Sequence, residues 1–206
     1  MINQDWLASC AIEVQRSSCS LYTLDIESHM DTCIRRVIIV GGGSAGWITA
    51  ARIAARWCND TEAAIRVTLI ESPAIETIGV GEGTWPTMRN TLRKAGVTET
   101  NFLRSCDAAF KQGAKFARWT DGTDSDGYYH PLNPPQGAPG INLSPHWDRL
   151  QHRGSPAFAD CVDFQAALCE AGIAPKAITT PEYVAVANYA YHLDAGAPYS
   201  FNRTFD

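Results

Sequence analysis

The feature that most constrains the fold of this chain is a glycine-rich turn that separates a strand pattern from a helix pattern. The apolar run at residues 37–40 leads into Gly41-Gly42-Gly43-Ser44-Ala45-Gly46, and an alanine-rich stretch continues to residue 57. In this context a G-x-G-x-x-G spacing gives a tight turn, a close backbone approach to a pyrophosphate and tight helix–strand packing. The N–H groups and the dipole of the helix start favour the phosphate charge. The turn therefore predicts a dinucleotide site.

A second strand pattern ends in the acid that such a site uses. Residues 65–70 are rich in β-branched and apolar side chains, and they lead to Glu71, which lies 25 residues after Gly46. A carboxylate at this position accepts hydrogen bonds from a ribose diol and repels the 2′-phosphate of NADP, so FAD or NAD is favoured. The strand–turn–helix–strand order predicts an α/β fold in which the two strands of a βαβ unit are parallel and adjacent.

Composition and charge are those of a globular protein. The 206 residues are 45% hydrophobic and 19% charged, with a formal net charge of −5. This balance is enough to fill a core, and it argues against nucleic acid or an anionic membrane surface as the principal partner. The sequence shows no apolar run of membrane-spanning length, and its first residues do not show the pattern of a signal peptide. We therefore expect a cytoplasmic protein.

The cysteines and histidines do not indicate a metal site. Seven cysteines are scattered along the chain without a Cys-x-x-Cys pair. An odd, dispersed set indicates reduced thiols rather than a disulfide framework. No Cys/His cluster has the spacing of zinc ligands, and we interpret His130, His146 and His192 as core or surface residues. We predict no bound metal.

The domain organisation is predicted from the position of the first strand. Residues 1–29 show no sustained period, whereas residues 30–36 run directly into the strand. We assign residues 1–29 to an N-terminal extension, with Met30 as a candidate natural start, and residues 30–206 to the dinucleotide-binding domain. A short ordered element within residues 1–29 is the alternative.

Periodicity and turn residues predict the elements of the remaining chain. Apolar side chains recur at helical spacing in several stretches, and clusters of Gly, Asp and Pro indicate loops. The expected elements are helices at 86–95, 99–109 and 156–170, a helix that leads into an extended segment within 183–192, a strand at 114–119 and a long loop at 121–140.

Three motifs occur in a fixed order along the chain. They are residues 41–47 (GGGSAGW), residues 79–84 (GVGEGT) and residues 110–116 (FKQGAKF). In this order and spacing they resemble the N-terminal part of the flavin-dependent tryptophan halogenases. The resemblance covers residues 34–196. The family's form of the second motif usually has alanine where this chain has Gly83.

The resemblance implies a Rossmann-like FAD-binding domain of the glutathione-reductase and aromatic-hydroxylase type, present only in part. It implies an enzyme in which reduced FAD, supplied by a separate flavin reductase, reacts with O₂ and then with chloride or bromide. The hypohalous acid that forms passes through a tunnel to a lysine beside the aromatic substrate. That lysine either forms a haloamine or hydrogen-bonds the hypohalous acid, and tryptophan or another indole or phenol is halogenated.

The resemblance also assigns residues to these roles. Lys111 matches the catalytic lysine, and Lys115, which the family motif shares, takes a supporting role. An amine is a good nucleophile toward electrophilic halogen, and an ammonium polarises hypohalous acid by hydrogen bonding. The cofactor residues that it adds to the glycine turn are Glu71, Ser72, Ile75, Ile78, Val80 and Gly83.

Family members are longer chains, and their Trp-x-Trp-x-Ile-Pro motif, their catalytic glutamate and much of the flavin and halide site come later. No Trp-x-Trp occurs in this sequence. We therefore expect the N-terminal portion of a halogenase, inactive without the remainder. Two other classes stay open: a flavin monooxygenase or NAD-linked oxidoreductase on the same fold, and a fragment that is not an enzyme and at best binds a nucleotide weakly.

Overall fold

The structure is a computed structural model that describes residues 12–16, 34–57, 65–72, 74, 82–152 and 154–193. These residues form two compact units. The first contains the described residues up to Glu82 together with Asn90–Ala108, and the second contains Gly83–Arg89 and Ala109–Leu193. No helix within the described part of the chain is both long and apolar enough to cross a membrane.

The first unit contains the predicted βαβ arrangement. Strand β2 (Arg36–Val40) leads into helix α1 (Ser44–Trp57), which leads into strand β3 (Arg66–Glu71). The two strands are parallel neighbours, with Val37 opposite Val67. The prediction of adjacent parallel strands is therefore confirmed.

Helix α1 packs on this sheet through small side chains. Its alanine-rich face allows a close approach to β3, and one tryptophan fills the remaining space. The buried residues of α1 are Trp47, Ala50, Ala51 and Ala54, and those of β3 are Val67 and Leu69. Because this apolar face follows the helical period, the sequence predicts the helix almost to the residue.

A further strand lies within the stretch that the sequence analysis assigned to an N-terminal extension. Strand β1 (Ile12–Arg16) pairs in parallel with β3, so the sheet order is β1-β3-β2. Five residues are too few to show a sustained period, and the pairing partner lies more than fifty residues along the chain. The described part of residues 1–29 thus includes an ordered element, which was the alternative in the sequence analysis; the boundary at residue 30 stays a prediction.

Two helices follow, α2 (Thr87–Lys94) and α3 (Glu99–Ser105). Thr98 caps α3, because its hydroxyl accepts a hydrogen bond from the Asn101 N–H at 3.3 Å. The predicted second helix was too long: it ends at Ser105, and Asp107 adopts a positive φ of 45°.

The cysteine that follows this helix is not a reactive thiol. Burial raises the pKa of the Cys106 thiol to about 12, so this thiol is protonated and unreactive at neutral pH.

The second unit contains two small sheets. One has the strand order β4-β8-β5, in which β4 is Glu82–Gly83, β8 is Ala190–Leu193 and β5 is Ala109–Lys111. The other is an antiparallel hairpin of β6 (Gly113–Ala117) and β7 (Gly127–Pro131). The strand predicted at 114–119 lies at residues 113–117. The loop predicted at 121–140 is wrong for residues 127–131, which form strand β7.

The helices of the second unit are α4 (Ser144–Leu150), α5 (Phe158–Val162) and α6 (Gln165–Glu170). The single helix predicted at 156–170 is divided, because Asp163 has extended backbone angles of φ −151° and ψ 149°. The helix predicted in the first part of 183–192 is wrong, because Tyr183 has a φ of 62° and no helix lies there. The extended segment predicted to follow it is confirmed as strand β8. The buried residues of this stretch belong to an irregular segment and to the central strand of a sheet rather than to a helix; they are Ala187, Tyr189, Ala190 and Tyr191.

The turn between β6 and β7 is organised by one carboxylate. Asp126 Oδ2 accepts hydrogen bonds from the N–H groups of Thr120 at 2.5 Å, Asp121 at 2.8 Å and Gly122 at 3.2 Å. Hydrogen bonds from the backbone, that of Asp121 foremost, lower the pKa of Asp126 below its ordinary value. The ionised form is therefore the one that holds the turn.

Replacing Asp126 with alanine should loosen this turn. We expect faster hydrogen exchange at the amides of residues 120–122, measured by mass spectrometry or NMR, with Asp124→Ala as the matched control because Asp124 contacts Arg118 and is 87% exposed. Since the pKa is lowered in the folded state, the stabilisation is present at neutral pH and is lost as the pH falls through that lowered pKa. Equal exchange in both variants would contradict this role of Asp126.

Candidate functional site

The glycine turn of the first unit has the shape that a pyrophosphate needs. Gly41 has a φ of 122°, which favours glycine, and its N–H donates to the Ile70 carbonyl at 2.9 Å. A Cβ added at Gly43 would meet no atom within 4 Å, so the turn opens at this residue onto free space. The first-turn N–H groups of α1, beginning at Ser44 and Ala45, have no acceptor within the helix. An anion placed over the turn would satisfy them.

Two other glycines allow close packing inside the turn. A Cβ at Gly46 would stand 1.9 Å from the Gly41 carbonyl oxygen, and a Cβ at Gly42 would stand 2.1 Å from Glu71 Oε2. Neither position therefore tolerates a side chain without a shift of its neighbours. The turn and the carboxylate of Glu71 are brought together by the absence of side chains at these residues.

Glu71 ends strand β3 next to the glycine turn, as predicted. Its Oε2 accepts a hydrogen bond from the buried Trp47 Nε1 at 3.4 Å. Trp47 was not predicted to have a role in the site, although it follows the last glycine of the fingerprint directly. Of the other predicted cofactor residues, Ser72 follows Glu71 and is exposed, whereas Ile75, Ile78 and Val80 lie outside the described residues.

Lys111 lies in the second unit, on strand β5 opposite Ala190 of β8. Its Nζ donates to the Thr84 carbonyl oxygen at 3.4 Å and lies 5.3 Å from the centre of the Trp85 ring. Gly83 is also adjacent, because a Cβ there would stand 2.9 Å from Nζ. The structure thus brings together two residues that the sequence analysis assigned separately, Lys111 and Gly83, and adds Thr84 and Trp85.

The loop that contacts Lys111 is fixed to strand β8. The Thr84 N–H donates to the Tyr191 carbonyl at 2.8 Å, and the Tyr191 N–H donates to Thr84 Oγ1 at 3.0 Å. Arg89, in helix α2, which follows this loop, lies over the Tyr189 ring at 4.4 Å from its centre. The Thr84 carbonyl that accepts the hydrogen bond of Lys111 therefore belongs to backbone that is fixed to strand β8.

Lys115 has a different environment from that of Lys111. Its Nζ forms an ion pair with Glu170 Oε1 at 2.5 Å, and the Tyr129 hydroxyl donates to the same oxygen at 2.6 Å. The hydrogen bond to Glu170 raises the pKa of Lys115, so this residue is held as an ammonium. Among the described residues Lys111 has no carboxylate partner. The two lysines are therefore distinguished by structure although they lie in one motif.

A histidine lies close enough to Lys111 to be influenced by its charge. Burial, and secondly the charge of Lys111, lower the pKa of His192, so its imidazole is neutral at neutral pH. His192 is on β8 opposite Ala109 of β5. Sequence reasoning missed this proximity because β8 reaches β5 from about eighty residues further along the chain. Within the described ranges no group of His, Cys, Asp and Glu could hold a metal ion.

Comparisons with known proteins agree with these features. The sequence profile of the tryptophan halogenase family matches residues 36–205. The crystal structure of a tryptophan halogenase from Shewanella frigidimarina is 44% identical, with a TM-score of 0.73, and the match covers 85% of this chain and 34% of that one. Xcc4156, a flavin-dependent halogenase from Xanthomonas campestris, is 32% identical with a TM-score of 0.66, over 84% of this chain and 33% of the other.

A similar relation holds for a tryptophan 6-halogenase, ThaL from Streptomyces albogriseolus. It is 31% identical over 191 aligned residues, which cover 85% of this chain and 35% of the relative. The chain therefore belongs to the tryptophan halogenase family. The α/β fold predicted from the glycine turn and the Rossmann-like class that the resemblance implies are confirmed by the similar solved structures. The chain spans about a third of the length of these relatives.

Proposed function

We propose that this chain is the flavin- and lysine-bearing portion of a flavin-dependent halogenase. The whole protein would use reduced FAD, O₂ and chloride or bromide to halogenate tryptophan or another indole or phenol. One observation carries the proposal: Lys111 lies on a strand, is held at Nζ by the Thr84 carbonyl, and has no carboxylate partner among the described residues. An amine placed in this way is available to an electrophilic halogen, whereas Lys115 in its ion pair is not.

The glycine turn fits FAD. Gly43 opens onto free space, and the first N–H groups of α1, which have no acceptor within the helix, would bind the pyrophosphate. Glu71 lies at the end of β3, where a carboxylate accepts hydrogen bonds from the ribose hydroxyls. Residues 41–46 and Glu71 would hold the cofactor, with Ser72, Ile75, Ile78, Val80 and Gly83 as further contacts. When bound and reduced, FAD supplies with O₂ the oxidising power that converts halide to hypohalous acid.

Lys111 would transfer the halogen to the substrate. As a free amine it attacks the halogen of the hypohalous acid, so that an N–halogen bond forms, the oxygen–halogen bond breaks and water leaves after proton transfer. A ring carbon of the substrate then takes the halogen and loses its proton, which restores the amine. In the alternative, the ammonium form hydrogen-bonds the hypohalous oxygen and polarises the oxygen–halogen bond. In both forms the position of Nζ decides which ring carbon reacts.

The partners follow from this chemistry. The aromatic substrate is a small molecule, reduced FAD reaches the enzyme by diffusion from a separate flavin reductase, and the protein works in the cytoplasm.

The whole protein, incubated with reduced FAD, O₂, bromide or chloride and a panel of indoles and phenols, should give halogenated products detectable by their isotope pattern. Hydroxylated products with no halogen incorporated would instead assign the chain to the flavin monooxygenases.

Replacing Glu71 with alanine should weaken FAD binding by about 1–3 kcal/mol, the usual cost of losing a hydrogen bond to a charged group. Binding is measured by titration of the whole protein and detection of flavin fluorescence. Glu170→Ala, which removes an exposed carboxylate from the second unit, is the control and should bind FAD normally. Unchanged flavin affinity in the Glu71 variant would remove the ribose assignment.

A further inference from the structure

We propose that Trp85 is a site of self-modification: when no aromatic substrate is bound, Lys111 transfers its halogen to the indole ring of Trp85 in the same chain. This inference rests on the proposed function of Lys111 and adds to it a covalent product on the protein itself. Lys111 Nζ lies over the Trp85 ring, 5.3 Å from its centre. The structure thus places an aromatic acceptor next to the amine that would carry the halogen.

The geometry of this pair suits aromatic halogenation. Indole belongs to the class of ring that the proposed reaction halogenates, and the face of an aromatic ring carries the negative part of its quadrupole. An electrophile attacks the ring through that face, and this is the side on which Nζ lies. A halogen on Nζ that is directed at the ring is nearer to it by one covalent bond, which gives about the 3–3.5 Å of a near-attack arrangement.

The position of the Trp85 backbone is fixed on both sides. Thr84, the preceding residue, forms hydrogen bonds of 2.8 Å and 3.0 Å with Tyr191 of strand β8. The Trp85 carbonyl accepts a hydrogen bond from the Met88 N–H at 2.9 Å, at the start of α2. Strand β8 also pairs with β5, which carries Lys111. Ring and amine are therefore attached to the same sheet, which keeps them close together.

The transfer balances without a further reagent. Hypohalous acid and the Lys111 amine give the N–halogen bond and water, as in the proposed function. A carbon of the Trp85 indole then forms a bond to the halogen with electrons of the ring. The nitrogen–halogen bond breaks and leaves its electron pair on Nζ, and the ring proton restores the amine. A bound aromatic substrate competes for the same halogen, so it should protect Trp85.

A second exposed tryptophan provides an internal control. Trp119 is 70% exposed, compared with 61% for Trp85, and its ring packs against Phe116 with 5.6 Å between the ring centres. Hypohalous acid that is free in solution should therefore modify Trp119 at least as readily as Trp85. A preference for Trp85 requires delivery by the lysine.

The first test measures modification during turnover. The whole protein is incubated with reduced FAD, O₂ and bromide without an aromatic substrate, digested and analysed by mass spectrometry. Bromine should be found on Trp85 about tenfold more often than on Trp119, because the amine holds the halogen at the ring. Lys111→Ala should abolish this preference, and excess indole should suppress it. If indole is brominated in a parallel reaction but Trp85 is modified no more than Trp119, the proposal is overturned.

The second test does not require turnover. The whole protein without flavin is treated with a limiting amount of hypobromite, and the ratio of brominated Trp85 to brominated Trp119 is measured. The ratio should be higher in the wild type than in Lys111→Ala. Lys115→Ala, which removes an amine that lies over the Tyr129 ring, is the matched control and should keep the wild-type ratio. Equal ratios in the wild type and Lys111→Ala overturn the proposal. If the first test gives no brominated indole, the proposed function fails, and this ratio still decides whether Lys111 passes a halogen to Trp85.

Discussion

Replacing Lys111 with alanine is expected to abolish halogenation by the whole protein, with a loss of kcat of about 10³-fold or more, because the residue that carries the halogen to the ring is removed. Oxygen consumption by the reduced flavin should continue at the wild-type rate, since the glycine turn and Glu71 do not involve this lysine. Both quantities are measured in one reaction: halogenated product by mass spectrometry and oxygen by an electrode. Halogenated product at a near wild-type rate would falsify the assignment of Lys111.

Lys115→Ala is the control for this experiment. It removes an amine four residues away, in the same motif, and we expect a much smaller loss of kcat. The Lys115 ammonium forms an ion pair with Glu170, and 51% of its side chain is exposed. Because the ammonium is taken up by this ion pair, we expect Lys115 to support the local structure. If Lys115→Ala were the inactive variant and Lys111→Ala the active one, the two roles would have to be exchanged.

The parts of the fold that could be predicted from sequence are those specified by neighbouring residues. The β2–α1–β3 unit is an example, since its apolar strands, its glycine turn and the alanine face of α1 all lie within residues 36–71. The end of β3 at Glu71 follows from the same stretch. Here the local pattern and the tertiary contacts agree, because the helix packs on the strands that flank it.

The parts that could not be predicted depend on distant pairings. Thr84 is joined to Tyr191 across 107 residues, and this link builds the sheet that carries Lys111. The first part of residues 183–192 has the composition of a helix, yet Tyr183 takes a positive φ and the segment runs as irregular backbone into strand β8, which pairs with β5. Tertiary context therefore overrides local propensity in this segment.

The candidate site divides in the same way. The glycine turn and Glu71 were predictable because a pyrophosphate imposes its geometry on a short stretch of backbone. The role of Lys111 came only from the resemblance of its motif, since a lysine in isolation carries no local signal. That Gly83 and Trp85 flank Lys111 required the structure, because the two motifs meet only when β4 and β5 lie in one sheet.

Gly46→Ala is expected to damage the first unit most among substitutions in the glycine turn. Its Cβ would stand 1.9 Å from the Gly41 carbonyl oxygen and 3.4 Å from Leu69 Cδ1. Gly41 cannot move freely, because its N–H is bound to Ile70 at 2.9 Å. Overpacking of this kind costs about 1–3 kcal/mol and occasionally more. We expect a lower midpoint of thermal unfolding, measured by circular dichroism, and loss of FAD binding.

Gly43→Ala separates binding from stability. A Cβ at Gly43 meets nothing within 4 Å, so the unfolding midpoint should match that of the wild type, whereas the Gly46 variant should unfold at a lower temperature. The methyl group would nevertheless fill the space in which the pyrophosphate is expected, and FAD affinity should fall by about tenfold, or about 1.4 kcal/mol. Wild-type FAD affinity in a stable Gly43→Ala protein would show that the pyrophosphate binds elsewhere. Loss of affinity in both variants, with loss of stability only in Gly46→Ala, is the result that the geometry of the turn requires.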